Sequence, residues 1–71
     1  MVSYKPLFKL LVDRNMSKAD LRRLAEISPN TMTKLRRGEE VSMTVLNKIC
    51  AALSVSYGDI IEYVPNEETV S

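Results

Sequence analysis

Residues 17–38, SKADLRRLAEISPNTMTKLRRG, decide the fold of this chain. Ser17 is a favourable N-cap, and Asp20 stands three residues later, where a capping box places an acid. The apolar residues that then recur at helical spacing, and give one apolar face, are Leu21, Leu24 and Ala25. We expect this short helix to end near Glu26, because new helix-start signals follow at once.

The second half of the stretch predicts another short helix. Ser28 can cap it, Pro29 suits the first helical position, and Gly38 permits a C-terminal stop. Two helices separated by so short a break cannot lie antiparallel and must cross steeply. The stretch therefore predicts a helix-turn-helix, in which the second helix, about residues 29–37, can enter the major groove of DNA.

The two faces of this helix pair carry different chemistry. The inward positions are all apolar, as a shared core requires: Leu21, Ala25, Ile27, Met32 and Leu35. The outward positions of the second helix mix hydrogen-bonding groups with cations: Asn30, Thr31, Thr33, Lys34 and Arg37. No acid stands between Ser28 and Arg37, whereas an ordinary solvated helix usually includes acids that form pairs.

The net charge of +1 conceals a division of charge along the chain. Residues 14–37 hold seven cations and two acids, a net charge of +5, and residues 38–71 hold one cation and six acids, a net charge of −5. A basic half that coincides with the helix pair suits a face presented to phosphates. The alternative is a chance clustering of solvated charges.

A first helix is expected before the pair, over residues 4–14. Its inward stripe consists of Leu7, Leu10 and Leu11. Phe8 and Val12 lie off that stripe and belong either to the core or to a partner surface.

Two more helices are expected after the pair. Ser42 can cap a fourth helix that ends near Leu53 and has the apolar face Val45, Leu46, Ile49, Cys50 and Leu53. Ser56 and Asp59 repeat the capping signature and predict a short fifth helix, about residues 57–63, with Ile60 and Ile61 inward. We find no strand alternation or repeat, so the predicted class is all-α.

The composition argues against several kinds of function. The chain has no histidine and only one cysteine, Cys50, which excludes a disulfide framework and a Cys/His metal site and favours a reducing cytoplasm. Cys50 is most simply a small buried hydrophobe. We expect no enzyme activity, cofactor, small-molecule ligand or membrane span, and RNA binding lacks an aromatic stacking platform.

Residues 16–37 and 41–64 resemble the Cro/C1-type helix-turn-helix transcriptional regulators, especially the small stand-alone regulators of bacteria, phages and mobile elements. The resemblance implies an all-α, five-helix, lambda-repressor-like DNA-binding domain over residues 1–65. The second and third helices would form the DNA-reading pair. Residues 66–71 would be a disordered acidic tail.

The resemblance also implies roles for individual residues. Base edges would be read by Asn30, Thr33 and Lys34, to which we add the outward Thr31. DNA phosphates would be held by Lys18, Ser28 and Arg37, to which we add Arg36. The chemistry agrees, because Asn suits adenine, Lys suits guanine, and Thr can bond a base edge or pack its methyl group on thymine.

Four features depart from the family's pattern. Arg22 stands where a small residue is common, and Glu26 stands where glycine is common. If the turn needs a positive φ, Glu26 costs on the order of 1 kcal/mol relative to glycine. Arg36 replaces a frequent acid, and Glu39 and Glu40 place acids in a loop that often approaches DNA. Together these features could lower the affinity for DNA.

The leading hypothesis is a sequence-specific regulator that binds double-stranded DNA as a homodimer on an inverted repeat, since one short recognition helix covers few base pairs. Candidate dimer residues are Tyr57, Ile61, Tyr63 and Val64, with Phe8 and Val12 as another choice; all of these could instead close the core. The alternative function is a protein-binding accessory or antitoxin-like module on the same fold, with weak or no DNA binding.

Overall fold

The structure, a computed structural model, describes residues 1–65. Its elements, in chain order, are strand β1 (Val2–Ser3), helices α1 (Lys5–Asp13), α2 (Lys18–Ala25), α3 (Pro29–Arg37) and α4 (Met43–Leu53), a 3-10 turn (Tyr57–Asp59) and strand β2 (Glu62–Tyr63). The predicted all-α class is confirmed. The predicted acidic tail, residues 66–71, lies outside the described residues.

Serine caps start three of the helices where the sequence predicts them. The Ser17 hydroxyl accepts the Asp20 backbone N–H at 3.0 Å, and the Asp20 carboxylate accepts the Ser17 N–H at 3.0 Å, which completes the capping box of α2. Ser28 and Ser42 accept backbone N–H groups of α3 and α4 at 3.1 and 3.3 Å. These bonds satisfy N–H groups that have no partner inside the helix.

All four α-helices end in the same way, with a left-handed residue that turns the chain. The residues are Asn15, Glu26, Gly38 and Ser54, with φ of 58°, 55°, 74° and 55°. In each case the next residue's N–H bonds back to a carbonyl of the last helical turn, as in the Schellman motif. The sequence predicts such a stop only at Gly38, because the other three positions lack the glycine that usually signals it.

One core joins the helices. Its buried apolar residues are Tyr4, Leu7, Leu11, Leu21, Ala25, Ile27, Met32, Leu35, Leu46, Ile49, Leu53 and Ile60. Leu24, which shares the apolar face but is not among the inward positions predicted from the sequence, is 55 % exposed. Helix α2 is only two turns long and buries the narrow stripe of Leu21 and Ala25, which leaves Leu24 beside Met16 and Arg23 at the surface.

The predicted fifth helix is reduced to the single 3-10 turn, after which the chain becomes extended. The Asp59 carboxylate accepts the Ser56 N–H, which is half of the predicted capping box. Beyond the turn, β2 pairs antiparallel with β1, Val2 opposite Tyr63 and Ser3 opposite Glu62. Met1 and Val64 extend this ribbon with two hydrogen bonds of 2.9 and 3.1 Å. The β-branched residues before β2 favour extended backbone, and a two-residue strand is too short to show alternation in the sequence.

Two side chains connect elements that are distant in sequence. The buried Tyr4 donates its hydroxyl to the Glu39 carbonyl at 2.8 Å, which fixes the loop after α3 against the start of α1. Arg14 donates to the Leu53 carbonyl at 2.6 Å and so holds the end of α1 against the end of α4. Helix α3 is therefore anchored at its C-terminal end as well as along its buried face.

Candidate nucleic-acid interface

The turn between α2 and α3 sets how α3 is presented. Glu26 adopts the left-handed conformation, and the Ile27 N–H then bonds to the Arg22 carbonyl at 3.1 Å. Ile27 is buried, and Met32 and Leu35 continue the buried face along α3. The opposite face of α3 is consequently turned to solvent.

Asn30 and Lys34, both predicted to read bases, lie on this solvent face. They are four residues apart on α3 and therefore side by side on the helix surface. Both are exposed, and neither side chain has a hydrogen-bond or ion-pair partner among residues 1–65. Their donors and the Asn30 carbonyl remain available for a ligand.

Thr31 and Thr33, the other two predicted base readers, are half-buried and already make internal hydrogen bonds. The Thr31 hydroxyl oxygen accepts from Ser28 at 2.9 Å, and the Thr33 hydroxyl donates to the Pro29 carbonyl at 3.1 Å. Each keeps a methyl group and spare acceptor capacity. Asn30 and Lys34 are thus the stronger candidates for direct readout.

The predicted phosphate ligands surround this face, but they differ in how far their side chains already interact with other residues. Lys18, the first residue of α2, places its ammonium 5.4 Å from the centre of the Phe8 ring, a cation–π contact that the sequence analysis missed. The Ser28 hydroxyl is occupied by capping α3. Arg37 forms an exposed ion pair with Glu39 at 3.7 Å, which is weak in water.

Arg36 occupies a groove that the sequence analysis did not foresee. The groove, about 320 Å³, lies between α2 and α3 and is lined by Lys18, Ala19, Arg22, Pro29, Met32, Thr33 and Arg36. Arg22, which stands where the family's pattern often has a small residue, brings a third cation to it. A sequence signal existed, because Arg22 follows Lys18 by one helical turn.

The candidate dimer residues near the end of the described chain lie around the ribbon. Tyr57 and Tyr63 are 43 % and 77 % exposed, and Ile61 and Val64 are half-buried. The Tyr57 hydroxyl donates to the Asn47 side chain. Of the second candidate pair, Phe8 is half-buried, whereas Val12 is 77 % exposed.

Within residues 1–65, we also considered a reactive cysteine, a metal site and a membrane-spanning helix. Burial, followed by the charge of Asp59, raises the pKa of the Cys50 thiol, which disfavours a reactive thiolate. No group of three His, Cys, Asp or Glu residues in this range could hold a metal ion. Nor does this range contain a helix of the length and hydropathy that crossing a membrane requires.

The tight turn presents a short helix that has free polar groups and is surrounded by cations. This arrangement is the DNA-binding surface of a helix-turn-helix domain. The model of the Cro/C1-type HTH DNA-binding domain matches residues 7–66, so the chain belongs to this family, as the resemblance implied. It is a DNA-binding regulator.

The crystal structure of the transcriptional regulator VanUg is similar, with 49 % identity and a TM-score of 0.88 over 92 % of this chain and 87 % of that chain. No curated protein matches.

Proposed function

We propose that the protein is a transcriptional regulator that reads a specific double-stranded DNA operator with α3 in the major groove. Asn30 and Lys34 contact base edges, with Thr31 and Thr33 supplying smaller contacts. Lys18, Arg36 and Arg37 contact phosphates, and the capped N-terminus at Ser28 faces the DNA backbone. The domain comprises residues 1–65.

The observation that carries this proposal is the contrast between the two faces of α3. Met32 and Leu35 anchor the helix in the core, while Asn30 and Lys34 project from the opposite side without partners in residues 1–65. A rigid helix with free amide and ammonium groups matches the acceptor and donor pattern of the major groove. The cations around it supply the affinity for phosphates.

The proposal includes a homodimer on an inverted repeat. One nine-residue α3 reaches only a few base pairs, and two-fold symmetry doubles the site. Tyr57, Ile61, Tyr63 and Val64 form the candidate interface, because Tyr63 leaves most of its ring exposed on the ribbon. Analytical ultracentrifugation at micromolar concentration measures the oligomeric state directly.

Selection from a random duplex-DNA library, followed by sequencing of the bound fraction at moderate salt, tests the function. We expect enrichment of an inverted repeat with half-sites about one helical turn apart. A single enriched site would retain DNA reading and remove the symmetric dimer. No enrichment by folded protein would favour the alternative, a protein-binding accessory or antitoxin-like module.

Two variants test the assignment of α3. Asn30→Ala and Lys34→Ala should each weaken binding to the selected duplex by about 1–3 kcal/mol and relax the base preference at one position. Lys9→Ala, which removes an exposed cation from α1, is the matched control and should keep the preference. An unchanged preference in both α3 variants would show that another surface reads the DNA.

A further inference from the structure

The groove between α2 and α3 is lined by three cations. Lys18 and Arg22 stand one turn apart on α2, and Arg36 faces them from α3. Like charges at this spacing destabilise a helix. Within residues 1–65, no acid lies within ion-pair distance of any of the three.

The lining of the groove combines these three cations with apolar side chains. Ala19, Pro29 and Met32 contribute its apolar lining, and Thr33 also lines it. Cations that share one groove raise the local positive potential and attract a negative charge. Arg22 is half-buried here, which limits its freedom to turn away.

The position of the groove selects the anion. Thr33, which lines the groove, is one residue from Lys34 on α3, and Lys18 begins α2 on the other side. A duplex whose major groove received α3 would carry its sugar–phosphate backbone along the flank of the helix pair. Two arginines there can hold a phosphodiester by forked hydrogen bonds, which a single lysine cannot.

We propose that Arg22 and Arg36 form a phosphate clamp that binds one backbone phosphodiester of the operator beside the bases read by α3. The clamp rests on the proposed DNA-binding function and adds Arg22 to its ligands. Lys18, held over the Phe8 ring, supplies a third positive charge to the same phosphate.

The test measures affinity for the selected duplex as a function of salt. Arg22→Gln and Arg36→Gln should each lower the affinity about five- to tenfold at ~0.1 M salt and reduce the slope of log K against log salt by up to about 0.9, the value for one phosphate contact, with the base preference unchanged. Arg23→Gln is the matched control, because Arg23 lies on the same helix but lines a different hollow and pairs with Asp20. Arg36→Gln keeps the test valid if Arg22→Gln folds poorly, since Arg36 is exposed.

A scan with single neutral methylphosphonates in the duplex identifies the phosphate. We expect one position where neutralisation weakens binding of the wild-type protein clearly more than it weakens binding of Arg22→Gln or Arg36→Gln. Specific DNA binding with no such coupled position would overturn the clamp and leave the proposed function standing.

Inorganic phosphate separates the clamp from a site for a small phosphorylated ligand. If no duplex binds, phosphate is titrated while the side-chain N–H signals of Arg22 and Arg36 are followed by NMR. A saturable shift that Arg22→Gln abolishes would assign the groove to a free phosphate and overturn the DNA clamp. No shift would overturn the groove as an anion site altogether.

Discussion

Glu26 holds the left-handed conformation at the turn that orients α3, and it does so without glycine's freedom. A residue with a Cβ atom at such a φ carries steric strain of about 1 kcal/mol or more. The strain is local, because the Glu26 side chain is exposed and the turn's hydrogen bonds are made by the backbone.

The first prediction is that Glu26→Gly stabilises the protein. We expect the free energy of unfolding to rise by about 0.5–1 kcal/mol, since relief of strain exceeds the larger entropy of glycine in the unfolded chain. Urea unfolding measures the change. Glu26→Ala removes the same carboxylate but keeps the strained Cβ, so it should give no comparable gain; a larger gain from alanine would place the cost in the side chain instead.

The second prediction concerns Asp20 and acid. The Ser17 backbone N–H, followed by the Ser17 side chain, holds the pKa of the Asp20 carboxyl below its ordinary 3.8. A lowered pKa in the folded state means that Asp20 contributes stability above about pH 4 and loses it as the pH falls through the folded value.

The measurement is an NMR titration of the Asp20 carboxyl together with urea unfolding between pH 7 and pH 2. Asp20→Asn keeps an oxygen that can accept the Ser17 N–H but has no proton to bind, so it should lose less stability in acid than the wild-type protein. An Asp20 carboxyl that titrates at or above 3.8 would contradict the capping box as the cause.

Among the elements, the connection between α1 and the loop after α3 depends on one hydroxyl. The third prediction is that Tyr4→Phe lowers the free energy of unfolding by about 1 kcal/mol, because it leaves the Glu39 carbonyl without its buried donor. Tyr57→Phe is the control: it also removes one hydroxyl bond, but at an exposed site, and should cost less. Equal losses of unfolding free energy in the two variants would show that burial of the Tyr4 hydroxyl does not make its hydrogen bond more stabilising.

The elements that could be predicted from the sequence are those with local signals. Serines 17, 28 and 42 and the apolar spacing located α2, α3 and α4 to within a residue or two, and exposed Asn30 and Lys34 followed from the face opposite Met32. These signals act within one or two helical turns, so they can be recognised without knowledge of the tertiary structure.

The features that escaped prediction depend on distant partners. Strand β2 forms because Val2 and Ser3 offer it an edge from the other end of the described chain. The groove of Arg22 and Arg36 exists only after α2 and α3 cross, and Lys18 meets Phe8 only when α1 packs beside them. Spacing within one segment carries no information about such pairings.

For the molecule as a whole, the basic half and the acidic half meet at the loop after α3. Glu39 and Glu40 follow Gly38 directly, so a DNA surface centred on α3 has two acids at its border. Charges about 10 Å apart in a water-like medium interact by roughly 0.5 kcal/mol at low salt and much less at high salt.

The fourth prediction is that Glu40→Gln raises affinity for the selected duplex about two- to threefold at ~50 mM salt, and that the gain largely disappears at ~300 mM. Fluorescence anisotropy with labelled duplex measures it. Asp13→Asn, an exposed acid on α1 beside Lys9 and Val55, should change affinity less. A gain that persists undiminished at high salt would argue for a direct contact rather than a field effect.

The ribbon makes the chain suitable for circular permutation. Because Met1 and Val64 exchange hydrogen bonds, a glycine-serine link of a few residues in place of residues 66–71 would span the gap between them. New ends could then be opened in the exposed loop before Ser42. Such a circular permutant would keep α2 and α3 contiguous. The order in which the ribbon and the helix pair are synthesised would change, but the surface that meets DNA would not.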